Sequence, residues 1–529
     1  MQLQLEDHFN VELPADTDHS NHRRQVYQAA FSFVAPRAPT APRLLHAALD
    51  VAELIGLSPA DVHSDDFLTI FSGAGIPPGA RPYAMCYGGH QFGNWAGQLG
   101  DGRAINLAEV AHAGKRWTLQ LKGAGPTPYS RTADGLAVLR SSLREHLCSE
   151  AMHHLGIPTT RSLSLIATGD EVMRDVMYNG NPEYEPGAVV CRVAPSFIRF
   201  GNFQIFASQG NLDLLRRLAD YTIQHYFPMV EPIGRGEASK TSYLQFFAEV
   251  ARRTLDMVIG WQRVGFVHGV MNTDNMSIHG ETIDYGPYGW LEGYDHQWTP
   301  NTTDASMRRY CYGNQPQIAL WNLVQLANAL YPLIEEAEPL QNALNAVVVQ
   351  TEPAHYAMLG AKLGLDSVAE KDYSFLTELE TTLQLTETDM TIFFRCLAKV
   401  RKNNPLGEGS DFLRPVLDAF YCPAELTGQT LGRWRSWFAA YLQRLKLSNT
   451  PDDERAQRMN KANPKFVLRN YMAQMAIDEA EIGNPSLIDE LYELLRHPYE
   501  EQPLKEKWFA KRPDWARHKV GCSMLSCSS

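Results

Sequence analysis

What this 529-residue chain lacks narrows it first. Its eight cysteines, at 86, 148, 191, 311, 396, 422, 522 and 527, include no CxxC pair and no His/Cys spacing suited to zinc. That excludes a zinc ribbon and a thioredoxin-type dithiol, and it matches cytosolic thiol usage. No apolar run approaches the ~18 residues of a membrane span, and the opening MQLQLED is acidic, without the basic and apolar segments of a leader peptide. No membrane partner and a cytoplasmic location are therefore expected. A positive excess is also missing: 48 Lys and Arg stand against 60 Asp and Glu, a net charge of −12, so no wide basic face and no nucleic-acid partner are expected. No internal period marks a solenoid or propeller.

What is present is the composition of a folded chain, 44% apolar and 20% charged, longer than the roughly 250–300 residues at which single cores stop growing. The opening segment ends in Pro36, Pro39 and Pro42 and reads as an irregular arm before a helical stretch at 44–57. Nine glycines follow between Gly73 and Gly102, then two β-like runs at 104–110 and 117–122, which suggests a small antiparallel sheet fed by a glycine loop. Apolar residues at 136, 139, 143, 147, 151 and 155 predict a helix with one buried face, with Asp134 as its start. Strand-rich stretches at 160–167 and 188–193 lead to predicted helices at 212–226 and 243–264; beyond Trp321 the chain reads as helix or loop, and from about Glu335 onward it is expected to pack on the larger part of the molecule. The order is α+β, sheet first.

The chemistry concentrates in HGVMNTDNMSI at 268–278, followed by IDYGPYG from Ile283. A protein-kinase catalytic loop reads H-x-D-x-x-x-x-N with a later D-F-G. His268 and Asn275 keep that spacing, and Asp284-Tyr285-Gly286 stands where D-F-G belongs. An amide oxygen and a carboxylate together suit a divalent metal that also takes phosphate oxygens, which makes Asn275 and Asp284 the candidate ligands. A polar turn between two strands is the plainer alternative. Val270 occupies the kinase aspartate position and accepts no proton; Asp274, beside Asn275, is the candidate base. Upstream, the strand-ending Lys122 fits the nucleotide lysine of a kinase, with Glu145 on the following helix as its ion-pair partner. Glu145 lies off the apolar stripe, free either to face a cleft or to be solvated. Gly100-Asp101-Gly102-Arg103 reads as a tight turn that brings backbone N–H groups and a guanidinium to phosphate, or as a simple hairpin turn. Arg192 and Arg199 are either surface arginines or a pair aimed at phosphate.

These segments, with YGGHQFGNWAGQLGDGRA, LQLKGAGPTPYSRTADGLAVLRSSLREHLCSEAM, CRVAPSFIRFGNFQ, YGNQPQIALWNL, NPKFVLRNYMAQMAI and the closing CSS, resemble the selenoprotein O family of protein adenylyltransferases, also called YdiU, over nearly the full length. The resemblance implies a protein-kinase-like two-lobed pseudokinase fold that binds ATP in reversed orientation and moves AMP to Ser, Thr or Tyr of protein substrates. It implies Asp274 as proton acceptor, Asn275 and Asp284 as ligands of Mg2+ or Mn2+, and Gly100, Gly102, Arg103, Lys122, Asp134, Gly135, Arg192 and Arg199 as the nucleotide cradle, with Asp284 also facing the nucleotide. Under it the chain divides into an N-terminal extension 1–60, a lobe with the glycine-rich loop 61–195, a lobe with catalytic loop and metal site 196–334, and a helical C-terminal region 335–529.

Animal members of that family carry selenocysteine in the tail where this chain has Cys527, so the resemblance makes Cys527 a redox candidate. Cys311 is the nearest candidate partner, because DHQWTPNTTD after the D-Y-G motif holds no cysteine. Cys522 shares the tail, where exposed, redox-active thiols are expected. A monomer is expected. Two other readings stay open: γ-phosphoryl transfer on the same fold, and a catalytically silent nucleotide-binding scaffold.

Overall fold

The computed structural model describes residues 1–233, 236–522 and 524–526. Eleven strands are named in chain order: β1 Phe31–Phe33, β2 Arg43–Ala47, β3 Tyr83–Met85, β4 Gly88–Gln91, β5 Asn94–Gln98, β6 Ala104–His112, β7 Lys115–Lys122, β8 Arg161–Arg174, β9 Glu183–Ala194, β10 Phe266–Val267 and β11 Gly289–Trp290. Seven of them form one sheet in the order β1-β3-β6-β7-β9-β8-β2, with every neighbouring pair antiparallel. Its centre closes through a two-residue turn in which both Ala113 and Gly114 have positive φ, 50° and 73°. That conformation matches the twist of the flanking strands. The sheet is larger than the glycine-fed hairpin foreseen, because long strands β8 and β9 join it and β1, β2 and β3 extend both edges.

The stretch expected to be helical at 44–57 divides into β2 and a short helix, Leu49–Leu54. Its first half pairs with β8, Leu44 opposite Ile166 and Ala47 opposite Ser164. A short apolar run is read equally well by either period, and here the free sheet edge decides. Nor is the first arm wholly irregular: Phe9–Glu12 is a helical turn, β1 lies within the arm, and Glu6 N donates to Glu109 O of β6 at 2.9 Å.

The helix predicted from Asp134 starts at Leu139, after Val138, and runs to His154. Asp134 instead caps a turn, accepting from Leu136 N at 2.9 Å. All residues from Leu139 to Met152 are buried, not one face alone. Strands β8 and β9 cover one side, and the helices Asn470–Glu481 and Ser486–Arg496 cover another. The helix Leu212–Tyr226 stands as expected, and the next begins earlier, at Glu237, and runs to Val264.

The region after Trp321 is helical, as its pattern foretold, but it does not pack as a single block. Trp434, Trp437, Phe393 and Leu413 belong to a second apolar core built mainly from 358–459 and joined by Val267, Leu291, Tyr294 and Tyr312, whereas residues 466–495 return to the core that holds the sheet. Among the described residues no helix is long and apolar enough to cross a membrane.

Candidate active site

A cleft of about 680 Å³ opens between the sheet and the segment 270–287. The two short strands β10 and β11 bracket that segment and pair with each other, so both ends of the loop are pinned. Between them His268, buried and held neutral as burial lowers its pKa, sets its Nε2 2.8 Å from Ile283 O. The ring thereby ties the start of the loop to the residue before Asp284. Asn275 donates its Nδ2 to Val270 O at 2.9 Å. With the amide nitrogen so engaged, its oxygen is the atom left for a ligand. Asp284 has a left-handed φ of 54°, a conformation that Asp tolerates better than most residues and that concentrates at functional sites.

A chain of alternating charge runs from the sheet into this loop. Lys122 Nζ lies 2.5 Å from Glu145 Oε2, and Arg192 Nε lies 2.6 Å from Glu145 Oε1. Arg192 Nη2 then reaches Asp284 Oδ1 at 2.6 Å, and Arg199 Nη1 pairs with Asp284 Oδ2 while donating to Asp274 O at 2.8 Å. Glu145, whose orientation the sequence left open, is thus fully buried and shared between two cations. Burial alone would raise its pKa, but Arg192 and Lys122 outweigh it and hold the carboxyl below its usual value. The same contest, won by Arg192 and Arg199, keeps Asp284 well below the carboxylate range. Burial brings Lys122 down to about 8, against the pull of Glu145.

The Arg192 guanidinium is also set from the sheet side. In register across three strands, Asn106 of β6 stands opposite Gln120 of β7, and Gln120 opposite Arg192 of β9. Gln120 accepts from Arg192 Nη1 at 3.0 Å and donates to Asn106 at 3.2 Å, and Asn106 donates to Asp101 Oδ2 at 3.2 Å. Four buried polar side chains therefore make a ladder from the glycine turn to the Asp284 carboxylate. Each needs its neighbour, since an unpartnered polar group in a sheet interior is costly.

Asp274 lies under the β4–β5 hairpin. Gln91 Nε2 donates to its Oδ2 at 3.2 Å, while its Oδ1 is buried without a hydrogen-bond partner among the described residues. Burial pushes the carboxyl up to about 6, partly countered by Gln91. The result is a carboxylate at neutral pH with more basicity than a solvated aspartate.

The opposite wall holds Gly100, Gly102, Arg103, Asp134 and Gly135, and Lys122, Arg192, Arg199, Asp274, Asn275 and Asp284 complete the same cleft. Gly100 has φ 73°, and a Cβ there would collide with the Tyr129 ring, so a side chain is excluded on both counts. Asp134 is already gripped in a two-pronged pair by Arg174, at 2.7 and 2.9 Å. Gln91, Arg174, Asn106 and Gln120 were not foreseen as parts of the site, nor was Tyr87, over whose ring Arg199 lies at 4.6 Å. Cys527 lies outside the described residues. Cys311 is buried, and Cys522, expected to be an exposed tail thiol, is buried too, with burial pushing its pKa up to about 11. The tail folds against the body, Asn470 Nδ2 donating to Cys522 O at 2.7 Å, and that contact removes the exposure on which the redox expectation for Cys522 rested.

The donor set suits a hard divalent cation: an amide oxygen from Asn275 and a carboxylate from Asp284, whose two oxygens offer about four lone-pair sites, two of them used by arginines. Comparison with known proteins bears on what the cleft is for. A family model described as protein adenylyltransferase SelO matches residues 15–496. A protein nucleotidyltransferase YdiU of Flavobacterium johnsoniae is 59% identical over 527 residues, covering 100% of this chain and 99% of the relative. Proteins with the same description from Rhodopirellula baltica and Aromatoleum aromaticum are 55% and 54% identical, again over 100% of this chain and 99% of theirs.

Proposed function

The chain belongs to the SelO family of protein adenylyltransferases, and from that premise we propose that it transfers AMP from ATP to Ser, Thr or Tyr hydroxyls of proteins in a metal-dependent reaction. The observation that carries this reading is the grouping of Asp274, Asn275 and Asp284 with Lys122, Arg192 and Arg199 in one cleft. Residues 61–195 and 196–334 act on this reading as two lobes around the nucleotide, with 1–60 as an extension and 335–529 as a helical region against them.

The acceptor hydroxyl attacks the α-phosphorus. A new O–P bond forms, the bond from that phosphorus to the α,β-bridging oxygen breaks, and pyrophosphate leaves with the electron pair. Asp274 takes the hydroxyl proton, and Gln91 orients its carboxylate. Arg192, Arg199, Lys122 and Arg103 hold the phosphates and offset the charge that builds on pyrophosphate. Gly100, Gly102 and Gly135 keep the wall thin enough for backbone N–H groups to approach the nucleotide. Asp134, paired with Arg174, orients that wall. Asn275 and Asp284 would hold Mg2+ or Mn2+, and the ion when bound would supply positive charge to the phosphate oxygens. Val270 leaves no acid at the kinase aspartate position, which disfavours γ-phosphoryl transfer.

The deciding test incubates the protein and its Asp274→Ala variant with ATP labelled at the α- or the γ-phosphate, a divalent cation and a protein acceptor. Label from the α position, lost in the variant, is the expected outcome. Label from the γ position would restore the kinase reading, and bound nucleotide with no transfer of either label would favour the scaffold.

A further inference from the structure

A second convergence of metal-type donors lies on the N-terminal arm, and none of its members lines the cleft. His8 Nδ1 stands 2.8 Å from Glu12 Oε1, and His225 Nε2, on the helix Leu212–Tyr226, stands 3.0 Å from both oxygens of the same carboxylate. One ligand atom from each of the three side chains lies within 4.8 Å of the others. Ligands of a tetrahedral Zn2+ sit about 3.3 Å apart, so a cation at the centre needs side-chain shifts of about 1 Å or less. All three side chains are partly exposed, which leaves room for water as a fourth ligand.

The far side of the His8 ring supplies an independent observation. Its Nε2 lies 3.1 Å from Glu6 Oε1. Metal-bound histidines commonly present their second ring nitrogen to a carboxylate, which fixes the tautomer and strengthens the ligand. The local charge also suits a cation. Glu6 and Glu12 are joined by Glu109, whose Oε2 accepts from His8 N at 2.7 Å. Arg217 reaches only the backbone oxygen of Glu12, at 2.6 Å, and Arg116 stays 3.9 Å from Glu109. The other donor cluster, Asp50, Glu150 and His154, differs on this point. There the Arg161 guanidinium already lies 2.6 Å from Glu150 and 2.7 Å from Asp50, in the place a cation would take.

We propose that His8, Glu12 and His225 form a Zn2+ site, completed by water and oriented by Glu6, separate from the metal of the cleft. The arm that carries His8 is bonded to β6 through Glu6 N and through the bridge between Leu5 and Val110. The ion therefore links the sheet to the helix Leu212–Tyr226 and holds the arm across both.

The test uses the full-length protein, stripped with a chelator and titrated calorimetrically with Zn2+ in the absence of nucleotide. Co2+ serves as a second probe, because its visible absorption reports a tetrahedral site. Uptake of about one Zn2+ per chain is expected, persisting in Asp284→Ala, which lacks the cleft ligand, and falling at least about 10-fold in affinity in His225→Ala. Glu6→Gln, which touches no ion, is expected to weaken binding by about 10- to 100-fold. Should His225→Ala unfold, Glu12→Gln preserves the size of the side chain and removes the charged ligand. Absence of stoichiometric Zn2+ or Co2+ binding, or binding that these variants leave unchanged, would overturn the proposal.

Discussion

Gly89 shows how closely single residues are constrained here. A Cβ at this position would stand 2.7 Å from Asp274 Oδ1 and 2.9 Å from its Cβ, so Gly89→Ala must displace the proposed base or the hairpin above it. A displacement near 1 Å costs up to about 100-fold in rate. We therefore expect Gly89→Ala to lower kcat by about 10- to 100-fold while leaving ATP affinity nearly intact, measured by steady-state kinetics beside nucleotide titration. Asp284→Ala should abolish metal-dependent transfer in a protein that still folds. It should also melt earlier than the parent, because two buried guanidiniums lose their shared carboxylate. Near-normal activity in that variant would place the metal elsewhere. At this scale much was legible: the spacing of His268, Asn275 and Asp284 marked a loop that the structure sets along the cleft beside Lys122, Arg192 and Arg199, while Glu145 lies behind the lining, paired with Lys122 and Arg192. The pairing of Arg192 and Arg199 on one carboxylate was not legible, since it depends on a strand, a helix start and a loop meeting in space.

At the scale of elements, the sheet does more than support the loop. In WTLQLK the residues Thr118, Gln120 and Lys122 alternate with Leu119 and Leu121, a period-2 signal that one face of β7 is polar although the strand is buried. That signal was available; its meaning appeared only when Asn106 and Arg192 came into register beside Gln120. Gln120→Leu should reduce kcat/KM by about 10-fold, and Gln120→Glu, which still accepts from Arg192 but no longer donates to Asn106, should recover part of it. A purely structural role would lower thermal stability equally in both variants without that recovery. A second seam carries a pH dependence. His46 Nδ1 and His146 Nε2 share a hydrogen bond of 2.8 Å where the helix Leu139–His154 meets β2. Burial brings His46 down to about 4, opposed by Asp50, and lowers His146 as well. Both folded-state values lie below the unfolded value near 6.5, so the unfolded chain binds more protons in between. Stability is then fully present above about 6.5 and is lost as pH falls toward about 4. Thermal scans from neutral to pH 5 should show that loss, with a flatter slope in His46→Gln.

For the whole molecule, α+β order and a helical C-terminal third were readable from periodicity, while the return of 466–495 to the first core was not, because nothing local encodes which distant surface a helix covers. That return has a definite contact. Arg144, next to Glu145, donates to Asn470 Oδ1 at 3.2 Å and to Tyr288 O at 2.7 Å, and Asn470 in turn donates to Cys522 O. Asn470→Ala should cost about 1–3 kcal/mol, measured by denaturant unfolding, since it leaves buried polar groups short of a partner. This linkage also sets a clock on biogenesis. Ribosomes add about 5–20 residues per second, so the helix that aligns Lys122 waits roughly tens of seconds for its last support to be translated. The nascent chain passes that interval with Arg144, beside Glu145, still without its Asn470 partner.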